Sequence, residues 1–320
     1  MDNKQIYKKT IGFSLRRVLW DILSLVLILA LGTLGFLIGD KAIQNGLIGL
    51  LIGAIVGVIL AVLISRFVSY LLKAGQIAMM TRGITEGELP DNVIAEGKKV
   101  VKERFATVAA YFAITGVIKG IFNQLGRGIA KIGESVGGDT GNAVGSAISS
   151  IIQTVVAYLC DCCLGWVFYR KEVKAAKATC EGAVLFFKHG KTFFKNMGRV
   201  FGMGILSLLL IGGAFTGIIY AILSAIGELP LYAQVASAFA GKEGTLAQIL
   251  SNPKTIPIAL AVIGGILVWS IIHSTFIRPF VLTGVLRNYL ESGVNDIPSE
   301  ASFSMLDSKS AKFRKLHSEL

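Results

Sequence analysis

Residues 47–64 read LIGLLIGAIVGVILAVLI, and none of them carries a charge. A helix rises about 1.5 Å per residue, so the stretch comes close to the roughly 20 apolar residues that cross a bilayer. Gly49, Gly53 and Gly57 recur every four residues. They therefore share one helix face and let a neighbouring backbone approach closely. That neighbour is either another helix of the same chain or a second copy, in a homo-oligomer through the glycine face. The spacing leaves both open.

The rest of the chain repeats this character. Of its 320 residues, 53% are hydrophobic and 16% are charged, against roughly 25% charged in soluble domains. The mean hydropathy is +0.66. The apolar residues come in blocks of spanning length, at Ile22–Ile38, Leu47–Ile64, Phe105–Phe122, Ala147–Phe168, Val200–Ile226 and Ile256–Val281. The expected fold is all-α: a polytopic membrane protein of six transmembrane helices, built as three helical hairpins with basic amphipathic connectors at the interface. The N-terminus is basic and leads into an apolar run, but no small-residue cleavage pattern follows, so it reads as a first anchor.

The formal net charge is +12. Lys and Arg gather in 1–21, 65–104, 170–199 and 284–320, whereas 39–46, 125–146 and 227–255 are poor in charge or nearly balanced. This asymmetry puts the basic segments and both termini in the cytoplasm, with the chain multi-pass in a cell membrane. No basic domain stands apart from the spans, so nucleic acid is not an expected partner. The expected partners are the bilayer and its anionic headgroups.

A weak repeat underlies the layout. IAEGKKVVKERFATV (94–108) aligns with FFKHGKTFFKNMGRV (186–200), and SRFVSYLLKAG (65–75) aligns with STFIRPFVLTG (274–284). The pseudo-repeats are 1–91, 92–183 and 184–298, followed by a polar cytoplasmic tail at 299–320. In the third connector, Lys188, Lys191, Lys195 and Arg199 interleave with Phe186, Phe193 and Phe194. That pattern suits a helix lying among anionic headgroups, and equally a plain joint between two spans.

The fourth block carries the polar chemistry. Ser150, Thr154 and Tyr158 follow one another at intervals of four, and Asp161 lies one turn beyond Tyr158. A carboxylate facing mid-membrane lipid costs roughly 2.5–3.5 kcal/mol, so this stripe is expected to face a cavity or another helix. Asp161 then either binds a cation or proton on a pathway, or pairs with Lys119, His273 or Arg278. His273 is a further pathway candidate because imidazole titrates near neutral pH. Cys160, Cys162 and Cys163 flank the aspartate, but no second CxxC or histidine pair completes a tetrahedral site. No metal or cofactor is expected. HExxH, nucleophile-elbow and Walker motifs are absent, and nothing points to an enzyme.

From Cys160 onward the chain resembles the choline-transporter-like family. The matching features are CDCCLGW (160–166), a basic linker, Gly190-Lys191 followed by Phe193, Phe194, Lys195 and Asn196, and VLRNYLESG (285–293) near the end. Arg287 and Asn288 stand where that family has more acidic character, and the family's large extracellular loop is missing. The resemblance implies transport of a choline-type organic cation. Two functions are therefore expected as alternatives: a transporter or permease for a small solute, or a non-transporting membrane scaffold or assembly protein that binds anionic lipid.

Overall fold

A computed structural model describes residues 1–106, 108–134, 141–227, 230–241 and 244–320. Within these, the side chains of 43, 47, 65–67, 108, 125–134, 141–152, 190–199, 230, 231, 234, 235, 238 and 245–247 lie outside the description. The described residues form helices and no strand. They divide into two compact units, Met1–Met197 with Pro279–Leu320, and Gly198–Arg278.

The first unit is organised by one long hairpin, α1 (Asn3–Ile43) and α2 (Gly46–Thr85). Asp2 caps α1 in a reciprocal box with Gln5, each side chain accepting the other's backbone N–H. The helices are joined by Gln44, in the left-handed region at φ 52°, and by Asn45, whose side chain accepts the N–H of Ile48 and starts α2. The glycines of the opening stretch form the seam of this hairpin. A Cβ on Gly49 would meet the Gly35 carbonyl oxygen and the Cα of Gly39, at 2.8 Å from the latter; one on Gly57 would lie 2.9 Å from the Cα of Ile28. The glycine face is taken up by α1 of the same chain.

Each helix is about 60 Å long, twice the hydrocarbon thickness of a bilayer. Burial changes abruptly along their length. Between Ile22 and Ile38 in α1, and between Leu50 and Ile64 in α2, large apolar side chains are exposed, as suits a surface meeting lipid. Beyond that belt, Ala74 to Thr81 of α2 are buried on every side, and so are Ile6, Thr10, Phe13 and Ser14 of α1. The exposed apolar half therefore runs without a break into a protein-covered basal half. No proline or distinct capping residue interrupts Asn3–Ile22 or 65–85, so the N-terminal segment and the start of 65–104 are helix rather than separate connectors.

The base is completed by α3 (Val93–Arg104), α4 (Val108–Glu134), α5 (Gly141–Tyr169), the first part of α6 (Ala175–Ser207), α11 (Arg278–Asn295), α12 (Ser304–Asp307) and α13 (Ala311–Ser318). Gly97 of α3 lies against Gly75 and Phe13, Trp166 of α5 against Gly293 of α11, and helix α6 kinks at His189. The 299–320 tail is folded: Phe303, Leu306, Phe313 and Leu316 are buried, and the Ser310 hydroxyl donates to Gln124 of α4 at 2.6 Å.

The second unit contains the end of α6, a π-helical turn at Leu208–Gly212, α7 (Gly213–Ile226), α8 (Pro230–Phe239), α9 (Thr245–Leu250), α10 (Ile256–Ile272) and a second π-helical turn at His273–Ile277. Here α7 packs against α10, with Gly265 against Thr216 and the carbonyl of Gly212. The faces turned away from this contact are again exposed and apolar.

Among the described residues, four helical stretches are long and apolar enough to cross a membrane: Asn3–Ala42, Ile48–Thr85, Val200–Ile226 and Ile256–Asn295. A fifth arises if Val93–Arg104 and Ala109–Gln124, bent by 83°, count as one span. The expected third block falls within that bent pair. The expected fourth is the shorter apolar helix Gln153–Tyr169, whose residues from Val155 to Phe168 are almost all covered by protein. A run apolar on every side suits lipid or a protein core equally, and here a core surrounds it.

Candidate functional site

Asp161 sits in this covered part of α5 and is 4% exposed. Its Oδ1 lies 2.6 Å from Nζ of Lys73, on α2. The expected ion-pair partners were Lys119, His273 and Arg278; the partner in the structure is Lys73. Lys73 belongs to SYLLKAG (69–75), which reads as the start of a cytoplasmic loop if α2 ends with the apolar run. Because the helix continues to Thr85, the lysine is carried against α5 instead. Its side chain is 35% exposed, against 5% for that of the aspartate, so the pair joins a buried anion to a cation that reaches the surface.

An aromatic cluster begins one turn of α2 before Lys73. Tyr70, one turn before Lys73, stacks on Tyr111 at 5.0 Å between centroids and on Phe112 at 5.8 Å. Phe105 packs edge-on against Tyr111 at 5.3 Å and against Phe168 at 5.8 Å. The phenol of Tyr111 is within electrostatic reach of Asp161, Tyr70 and Arg17. Thr154 and Tyr158 lie on the same face of α5 as Asp161, Tyr158 buried and Thr154 half-buried. The Ser150 side chain lies outside the described residues.

A second buried carboxylate, missed by the sequence reading, meets α5 at Trp166, one and a half turns beyond Asp161. Glu181 of α6, 1% exposed, accepts the indole N–H of Trp166 at 3.0 Å. Arg170 forks onto the same carboxylate at 2.9 and 3.2 Å, and this hydrogen bonding raises the guanidinium above its ordinary pKa. Every polar group of this cluster is matched, which marks it as the brace of the α5–α6 turn. The Tyr289 hydroxyl donates to the Gly182 carbonyl close by, and Cys163 lies 3.7 Å from the Thr179 carbonyl. Cys162, Cys163 and Cys180 are buried thiols. No group of three or more His, Cys, Asp or Glu side chains placed to hold a metal occurs among the described residues.

The remaining expected residues lie elsewhere. Lys188 is ion-paired: its Nζ lies 3.0 Å from both oxygens of Asp296, which also meets His189 Nε2 at 3.2 Å. The side chains of Lys191, Lys195 and Arg199 are outside the described residues. His273, in the second unit, stacks on Trp269 at 5.1 Å, and the Trp269 indole donates to Ser207 at 3.0 Å.

No family model, curated protein or solved structure matches this chain.

Proposed function

We propose that this chain is a polytopic protein of a cell membrane, with cytoplasmic termini, that acts as a transporter or permease for a small organic cation. The observation that carries the reading is the Lys73–Asp161 contact beside tyrosine rings. A buried carboxylate next to aromatic faces is a receptor for an ammonium group, and here the ammonium of Lys73 fills it. Lys73 is then an internal stand-in for the substrate, able to withdraw because it already reaches the surface. The resemblance of the C-terminal half to the choline-transporter-like family points to the same substrate class.

The test is uptake into proteoliposomes of a panel of labelled alkylammonium solutes and their uncharged isosteres. Uptake of one or more cations, lost in Asp161→Asn and tightened in Lys73→Met, is the expected result. Folded wild-type protein that moves none of the cations overturns the reading. A second reading, a non-transporting scaffold on anionic lipid, is favoured by α3, whose exposed Lys99 and Lys102 face away from the base.

A further inference from the structure

About two turns of α5 beyond Asp161, the base of the first unit holds a cleft of about 310 Å³ between α2, α3 and the end of α5. It begins at Ala78, roughly 20 Å along α2 from Ile64. Its floor is apolar, made by Met79, Val100 and Phe168. Its rim is charged: Arg82 lies between Glu86 and Glu96, its Nη1 3.7 Å from Glu96 Oε1. Glu86 Oε2 accepts from Arg82 Nε at 2.7 Å, and Glu86 Oε1 lies 3.9 Å from Lys171 Nζ. The other rim acid, Glu172, is already engaged by Arg170.

Glu86 is the C-cap residue of α2, its side chain is 44% exposed, and Gly87 behind it adopts φ 76°. A half-exposed carboxylate therefore occupies a receptor made of a guanidinium and an ammonium, beside apolar lining residues. Guanidinium and ammonium groups converging on one point suit a carboxylate, and the floor suits a planar or branched apolar body attached to it.

We propose that this cleft binds a small organic anion, an apolar or aromatic body bearing one carboxylate, which takes the place of Glu86 on Arg82 and Lys171. The ligand's body lies on Met79, Val100 and Phe168, and Glu86 swings out into solvent on Gly87. This site stands independently of the cation reading, since its residues and its ligand charge both differ.

The probe is 4-fluorophenylacetate, followed by fluorine NMR line broadening on the full chain in detergent, with 4-fluorophenethylamine and the matching alcohol as controls. Saturable binding of the acid is expected. Glu86→Gln, which removes the internal competitor, should tighten binding about tenfold, and Arg82→Gln should weaken it at least as much. If Arg82→Gln lowers the melting temperature, Lys171→Gln, at an exposed rim position, replaces it. The amine and alcohol should be indifferent to all three changes. Acid binding equal in wild type and variants would reflect micelle partitioning alone and overturns the proposal. So does an amine that binds and is weakened by Glu86→Gln.

Discussion

Removing either partner of the Lys73–Asp161 pair should have unequal consequences, and the inequality can be worked from burial. Lys73→Met leaves a carboxylate whose side chain is 5% exposed without its cation. Removing one partner of a buried ion pair costs about 3–5 kcal/mol. Asp161→Asn leaves the lysine instead, but its side chain is 35% exposed and the ammonium can turn to water. That change forfeits little more than a charge-assisted hydrogen bond, about 1–2 kcal/mol. At about 2–4 °C per kcal/mol, Lys73→Met should lower the melting temperature in detergent by roughly 10 °C and Asp161→Asn by about 4 °C. The double variant, with neither charge left, should recover most of the larger loss. The assay is thermal unfolding of all four proteins under one detergent and salt condition. An Asp161→Asn loss equal to or larger than that of Lys73→Met refutes the reasoning, as does a double variant less stable than both.

The hairpin seam and the acid clasp lead to two further expectations. Gly49→Ala should prevent the close approach of α1 and α2, because the added Cβ meets backbone, whereas Gly116→Ala, with nothing within 4 Å, should be neutral or stabilising by about 0.5–1 kcal/mol; folded yield and melting temperature compare the two. The hydrogen bond from Lys188, and then that from His189, hold the Asp296 carboxyl below its ordinary pKa of 3.8. A depressed acid stabilises the fold above that ordinary value and loses its contribution as the pH falls further. Melting temperatures of wild type and Asp296→Asn should therefore differ at neutral pH and converge below about 3.8; a gap that widens in acid contradicts the clasp.

The helical class and the apolar hairpins were legible because lipid-facing residues need only be apolar, and Leu50 to Ile64 advertises that without ambiguity. The basal bundle was not, because apolar runs look alike whether lipid or protein covers them. The stretch from Val155 to Phe168 has the composition of a span and the environment of a core. Asp161 was visible as a costly residue in such a run, so its burial was foreseeable. Its partner was hidden by the assumption that α2 stops where the apolar run ends, at Ile64, nine residues before Lys73. The Trp166–Glu181–Arg170 brace left a fainter trace: a single acid opening an apolar segment, matched to an arginine eleven residues earlier. Spacing alone does not separate that pattern from an ordinary helix flank.

The unbroken passage of α1 from membrane belt to base makes it a lever arm. Its centre in the bilayer, near residue 30, lies about 40 Å from Asn3, so a tilt of about 10° there swings the far end through about 7 Å. Helices tilt when the surrounding bilayer thins or thickens. Because Gln76 of α2 is tied to Ser14 and Thr10 of α1, the paired helices swing as one piece, carrying α3 and α5 with them. A change of tilt in the apolar belt would therefore displace the base laterally, without any hinge in the hairpin.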